Sequence, residues 1–281
     1  MARRIVVQKT LLLVESGLIF LIMVALVLVV ALQVFGSAGI VAVAAGVVML
    51  AFLTLQRGRP EIPRELIPVY HRQAPELYSI LKKLSGRAGL KRVPGVYLLP
   101  EELMNAATLE TREGPLIVLT PMTVQQLNRR QLTGILAHEV AHLEYRDTLL
   151  LQLTNMVHTI TQSIAQVAWF MLIVFFPLLV LSGGVFPFYL VVLLFIAPVA
   201  SVLLQMAFSR SREFNADLGA VELTGDPEGL AEALDRIDHV QSYALSQLFP
   251  FRRPKQNSSI FRSHPNIPVR IRKLRRIAAE Q

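Results

Sequence analysis

The sequence predicts a mainly α-helical membrane protein: four transmembrane helices in two hairpins, with an α+β polar part that carries a small β-sheet. Three observations predict it. The 281 residues are 53% hydrophobic, with a mean hydropathy of +0.49. No Asp, Glu, Lys or Arg occurs from Gly17 to Gln56, and none from Thr148 to Ser209. All 28 Lys and Arg fall outside those two blocks. A bilayer core about 30 Å thick takes about 20 apolar residues per helical crossing, so each block is long enough for two. Lipid offers backbone groups no hydrogen-bond partners, which makes the spans helices. They are read near 12–34, 38–56, 154–181 and 186–208.

Short turns with helix breakers join each pair: Phe35-Gly36-Ser37-Ala38-Gly39 in the first hairpin, Ser182-Gly183-Gly184-Val185-Phe186-Pro187 in the second. The first apolar segment exceeds a usual signal-peptide core and a second follows at once, so no cleaved leader is expected. Two tight hairpins put both termini and the central polar segment on one side. Arg3, Arg4, Lys9 and every other Lys and Arg lie there, and the opposite turns have none. The positive-inside rule makes that side cytosolic, in the inner (plasma) membrane of the cell. The net charge of +8 then reads as topology and attraction to anionic headgroups of the bilayer. No nucleic-acid partner is expected, since no aromatic-basic module or helix-turn-helix pattern appears. The absence of cysteine excludes disulfides and thiolate metal sites and suits a reducing compartment.

The expected division is a first hairpin over 1–56, a polar part over 57–153, a second hairpin over 154–208 and a second polar part over 209–281. Leu77, Ile80, Leu81 and Leu84 recur at helical spacing within an amphipathic helix from Pro75. Strands are predicted at Gly95–Leu99, Met104–Leu109 and Pro115–Thr120, the last two around a turn at Thr111-Arg112-Glu113-Gly114. Asn128 with Gln131 forms a capping-box pattern and starts a helix that runs to Tyr145. The fourth span continues through Arg210–Leu223, Asp226-Pro227 opens another helix to about Leu245, Phe249–Pro268 is a basic loop, and a short basic helix ends the chain.

The helix after Asn128 contains His138-Glu139-Val140-Ala141-His142. Residues four apart share a helix face, so both imidazoles reach one ion while Glu139 stands beside them to take a proton from water. This HExxH arrangement is that of zinc peptidases; on its own it can also arise by chance on a solvated helix. A catalytic zinc needs a third protein ligand and an open position. The best candidate is Glu213, in Ser211-Arg212-Glu213-Phe214-Asn215-Ala216-Asp217. On a helix Asp217 lies one turn beyond it, placed to accept the N–H of a ligating histidine and fix its tautomer. The plain alternative is a solvated carboxylate pair at a helix end. Both arms must deliver ligands to one ion, yet the stretch from His142 to Gly183 is much longer than that from Gly184 to Glu213. The longer arm is therefore predicted to bend, tilt or break, between Arg146 and Asn155, where the charged residues stop.

Four spans, HExxH before the second hairpin and Arg-Glu-Phe-Asn-Ala-Asp after it resemble the HtpX-type membrane metallopeptidases, gluzincins related to the CAAX prenyl proteases. The resemblance covers nearly the whole chain, in order and spacing. It implies a zincin-like catalytic domain with one Zn2+ per chain bound by His138, His142 and Glu213, with Glu139 as base and Asp217 behind a histidine. The implied reaction is metal-assisted peptide hydrolysis without an acyl-enzyme, acting on unfolded or membrane-protein polypeptides in quality control. Asn105-Ala106 resembles the family's Asn-Ala motif on the strand that borders the substrate cleft, although Ala107-Thr108 replace the usual aromatic that follows. Ser263-His264-Pro265 with Arg270 resembles its C-terminal His-Pro…Arg signature, with Asn266 in place of a second proline. His264 and Arg270 are candidates to polarise the scissile carbonyl or to cap the structure.

Two competing functions come from other readings: a zinc-binding membrane scaffold without turnover, which the intact Glu139 disfavours, and a specific CAAX-type processor, which the lack of further spans disfavours. One more polar feature stands inside the third span, where Asn155, His158, Gln162 and Gln166 form a stripe at helical spacing. It reads either as interhelical hydrogen bonding or as a wet groove. Oligomeric state leaves no trace in the sequence.

Overall fold

The computed structural model describes residues 2–57, 60–183, 188–248 and 267–280. His264, residues 184–187 of the second expected turn and residues 249–266 of the expected basic loop lie outside the described residues. Nine helices and four strands follow in the order α1 (Ala2–Phe35), α2 (Ser37–Arg57), β1 (Ile67–Val69), α3 (Pro75–Arg87), β2 (Gly95–Leu98), β3 (Ala106–Thr111), β4 (Gly114–Leu119), α4 (Pro121–Gln126), α5 (Arg129–Glu144), α6 (Asp147–Leu181), α7 (Phe188–Thr224), α8 (Pro227–Leu248) and α9 (Ile267–Ala279), among the described residues. The chain forms two compact units. One comprises Met1–Leu13, Arg59–Thr148 and Arg212–Gln281; the other comprises Val14–Gly58 and Leu149–Ser211.

The second unit is helical and apolar. Three helices are long and apolar enough to cross a membrane, Ile5–Phe35, Asp147–Leu178 and Phe188–Thr224, among the described residues. The fourth expected span appears there only as a shorter apolar helix, Ser37–Met49, within α2. The α1–α2 turn is tight for a physical reason. Gly36 adopts φ +64°, and a Cβ on Gly39 would lie 2.1 Å from the Ala31 carbonyl oxygen. Only glycine fits at both places. Small clusters hold the helices together: Ile19 and Met23 with Phe208, Val27 and Ala31 with Val43, Ala165 and Ala168 with Leu194.

The polar stripe of α6 faces α7. Asn155 pairs with Gln205, His158 Nδ1 meets Ser201 Oγ at 2.9 Å, and Gln162 donates to the Pro198 carbonyl at 3.4 Å. Each step of three or four along α6 is matched by one back along α7, the register of an antiparallel pair. Interhelical bonding thus accounts for three of the four residues, while Gln166 is exposed. Such bonds contribute on the order of 1 kcal/mol each within a membrane.

The first unit holds the sheet, ordered β1-β2-β4-β3. β1 pairs with β2 antiparallel, β2 with β4 parallel, and β3 with β4 antiparallel as a hairpin closing at Thr111 and Gly114. Gly114 takes φ +134°, open only to glycine, and the Thr111 hydroxyl donates to its carbonyl at 2.9 Å. The three predicted strands are found within two residues of their expected starts; β1 and the short α4 were not expected. One side chain set forms the core: Leu77, Ile80, Leu81 and Leu84 of α3, Ile117 and Leu119 of β4, Leu136 and Val140 of α5, Leu230 and Leu234 of α8, and Ile271 and Leu274 of α9.

Helix α5 starts as expected. Asn128 accepts the Gln131 N–H at 3.0 Å, and Gln131 Oε1 accepts the Asn128 N–H at 3.1 Å. The helix ends at Glu144, and Arg146 adopts φ +53°, so α6 leaves as a separate helix from Asp147. The break lies at Tyr145-Arg146, at the near edge of the interval predicted for the bend. By contrast, α7 runs without interruption from Phe188 past Glu213 to Thr224.

Helix α8 crosses α5 at a glycine. A Cβ on Gly134 would lie 2.9 Å from both Cα and N of Leu230, backbone that cannot swing aside. Alanine is the better helix former by about 1 kcal/mol. Gly134→Ala should nevertheless cost about 1–3 kcal/mol, because overpacking forces the two helices apart. Urea unfolding in detergent measures it, and a stabilised variant would refute the close contact.

Candidate metal centre

Helix α5 carries His138, Glu139 and His142 into the interior of the first unit, with residues Gly134–Ala141 all buried. The two Nε2 atoms stand 3.0 Å apart, and the rings meet edge to face with centroids 4.5 Å apart. Helix α7 brings Glu213 to the same point: Oε2 lies 3.4 Å from His138 Nε2, and Oε1 lies 3.8 Å from His142 Nε2. One donor atom from each residue falls within 4.8 Å of the others. Ligand distances of about 2.0–2.2 Å put neighbouring ligand atoms of a tetrahedral ion about 3.3 Å apart, and this set is close to that.

The backs of the imidazoles decide what their fronts can do. His138 Nδ1 lies 3.1 Å from Asp217 Oδ1, and His142 Nδ1 lies 2.7 Å from Asp147 Oδ2. A carboxylate only accepts, so each Nδ1 carries its ring's proton and each neutral ring turns a bare Nε2 lone pair inward. Two lone pairs at 3.0 Å repel unless a cation or a shared proton lies between them. The charges agree. Glu139, Asp147, Glu213 and Asp217 are buried acids, opposed by two buried cations, Arg212 and Arg270. The remaining two negative charges match a divalent cation, and buried charge of that size needs a partner. Without a metal the cluster takes up a proton instead. Burial and the Arg270 cation push the His138 pKa down, but Asp217 and Glu213 outweigh them and raise it to about 9. The residues therefore fit a divalent metal ion.

Arg270 lies under this set, 1% exposed. Its Nη1 donates to Glu213 Oε2 at 2.7 Å, its Nε to Asp217 Oδ2 at 2.8 Å and its Nη2 to Asp217 Oδ1 at 2.6 Å. Of the two roles expected for it, polarising the scissile carbonyl or capping the structure, these contacts match the structural one, and the Nη2 atom also lies 3.3 Å from His138 Nε2. Asn105 and Ala106 line one cavity of about 20 Å³ with His138, Glu139 and Arg270. The Asn105 backbone is pinned by Thr123, whose hydroxyl lies 2.8 Å from its N and 2.9 Å from its O; its side-chain oxygen accepts the Ala106 N–H at 3.0 Å.

Three residues of the site were not anticipated. Thr108 of β3 donates its hydroxyl to Glu139 Oε2 at 2.6 Å. Asp147 backs His142, and Arg212 Nε donates to Asp147 Oδ1 at 2.5 Å. The signal available for Asp147 was its place as the last charge before a charge-free block; that for Arg212 was its adjacency to Glu213.

The chain matches peptidase family M48 over residues 71–278. It is 35% identical to a protease HtpX homolog of Ralstonia nicotianae, covering 73% of this chain and 74% of that protein. It is 36% identical to a protease HtpX homolog of Thermococcus kodakarensis, over 74% and 75% of the two chains. A protease HtpX of Legionella pneumophila is 36% identical, over 71% and 75%. The chain belongs to peptidase family M48 and is a membrane-associated metallopeptidase of the HtpX type.

Removing Arg270 would strand two buried carboxylates. Arg270→Met should therefore cost about 3–5 kcal/mol, the usual penalty for leaving one side of a buried ion pair uncompensated. A thermal melt of the metal-free protein in detergent tests this, and an unchanged midpoint would show that the pair is not buried as described.

Proposed function

We propose that this M48 peptidase is a zinc-dependent endopeptidase that hydrolyses misfolded or damaged membrane proteins at the cytosolic face of the inner (plasma) membrane. The single observation that carries the reading is the pair of inward Nε2 lone pairs, joined by the Glu213 carboxylate, in a pocket short of two positive charges. On this reading His138, His142 and Glu213 would hold one Zn2+. Apolar segments 1–56 and 154–208 lie in the bilayer as four spans, α2 supplying the fourth. Polar parts 57–153 and 209–281 form the cytosolic catalytic domain.

Zinc so held supplies Lewis acidity and lowers the pKa of water to near 7. The protein supplies the rest. Glu139 takes the proton of the attacking water and returns it to the leaving amine. Thr108 fixes one oxygen of that carboxylate with its 2.6 Å hydrogen bond, leaving the other to work. Asp217 holds the His138 tautomer. Arg270 positions both Glu213 and Asp217 rather than the substrate. Strand β3 is an edge of the sheet, and α5 packs beside it. An extended substrate adds to such an edge through main-chain hydrogen bonds, along Asn105 and Ala106, which asks for an unfolded segment rather than a sequence. His264 completes the proposed substrate-binding residues from the sequence side.

Glu139→Gln should retain one zinc per chain while its casein hydrolysis falls by about 10²–10⁴-fold. Wild-type cleavage by this variant would end the mechanism. Glu213→Ala should lose the metal in elemental analysis, and normal zinc content there would place the third ligand elsewhere. For orientation, single cysteines at Ser37 and Gly183 should label from outside intact cells and one at Ser85 should not. Labelling of Ser85 would reverse the topology.

A further inference from the structure

Asp147 and Arg212 lie outside the expected ligand set, and both are at most 2% exposed. Burying such a pair is costly, and a pair of apolar residues would serve stability as well or better. Its geometry indicates another use. The two Asp147 oxygens are divided: Oδ2 meets His142 Nδ1 at 2.7 Å, and Oδ1 takes the Arg212 guanidinium through Nε at 2.5 Å and through Nη2. The guanidinium also lies over the Tyr145 ring, 5.8 Å from its centroid.

Sequence spacing alone forbids the His142 contact. Residues five apart on a continuous helix lie about 140° apart around the axis and face different ways. Asp147 reaches back only because Arg146 takes φ +53°, ending α5 and starting α6 in a new direction. A non-glycine residue takes that conformation only against a steric penalty between its Cβ and the backbone. The chain thus accepts strain next to a buried ion pair, and the common outcome is one fixed imidazole.

We propose that Asp147 and Arg212 act as a clasp that positions His142 for the metal, so that metal affinity depends on α6 being held against α7 at their polar ends. Asp147 is the first residue of α6, and Arg212 precedes Glu213 on α7. The clasp therefore ties one histidine ligand to the helix that carries the carboxylate ligand. Arg212 neutralises and aims the Asp147 carboxylate; the carboxylate keeps the Nδ1 proton in place and the Nε2 lone pair directed inward. Neither residue touches the reacting atoms, and both are positioning residues. This inference rests on the proposed metal site.

The test is zinc affinity of the full chain in detergent, measured by chelator competition, together with the visible spectrum of the Co2+-substituted protein. Asp147→Asn and Arg212→Gln should each weaken zinc binding by roughly 10–100-fold, the usual effect of losing such a supporting group, and shift the Co2+ bands. The double variant should bind about as well as the weaker single one, since both act through one contact. Arg212→Lys, which keeps the charge without the fork, should recover part of the loss. If Asp147→Asn does not accumulate as folded protein, the Arg212 variants decide alone. Wild-type affinity and an unchanged spectrum in folded Arg212→Gln would overturn the clasp and leave the pair a structural one. His142→Ala separates the two readings: if it too binds zinc like the wild type, the metal site itself is wrong, whereas loss of zinc there with unchanged Arg212→Gln refutes only the clasp.

Discussion

Four carboxylates and two histidines share one buried neighbourhood, and the rest of the catalytic unit is arranged around making that tolerable. A lone buried carboxylate costs several kcal/mol, so each needs its own partner at hydrogen-bond distance. Arg270 answers Glu213 and Asp217 from α9, Arg212 answers Asp147 from α7, and Thr108 answers Glu139 from β3. The cluster and its partners come from five separate elements, α5, α6, α7, α9 and β3, and the cluster cannot form until they have come together. The final helix, short and basic, matters for this reason. It presents Ile267, Ile271 and Leu274 to the core while aiming a single guanidinium inward.

This also explains which parts of the site were legible in the sequence. His138, Glu139 and His142 sit within five residues and declare themselves by helical spacing. Glu213 and Asp217 repeat that spacing on a second helix. Asp147 is five residues from His142, a separation that no regular helix turns into a contact. Only the left-handed backbone at Arg146 creates it, and an arginine gives no warning of that conformation as a glycine would. Thr108 is a generic strand residue whose partner is distant in sequence. Arg270 was visible as part of a signature, but charge alone could not say whether it would face solvent, substrate or a buried acid.

The same distinction runs through the fold. Helices with strong local statements were readable: the capping box at Asn128, the apolar stripe of α3, the hydrophobic runs of α1, α6 and α7. Strand β1 has three residues, one of them proline, and exists because β2 offers it an edge. Helix α4 is a six-residue turn begun by Pro121, too short to show a period. The extent of the spans was read from where charges stop, and this underestimates α6, whose helix starts at Asp147 before the apolar run. The α6 polar stripe became interpretable only when Ser201, Gln205 and the Pro198 carbonyl were seen opposite it.

Helix α7 has no joint between its apolar run and Glu213, whereas the histidine helix is separated from α6 by the bend at Arg146. One ligand thus stands within an unbroken helix and two stand on a helix that ends just beyond them. Turning the imidazoles away from the axis of the following helix takes rotation at one residue that is already outside the helical conformation, whereas turning the carboxylate against its own helix would break backbone hydrogen bonds on both sides of it.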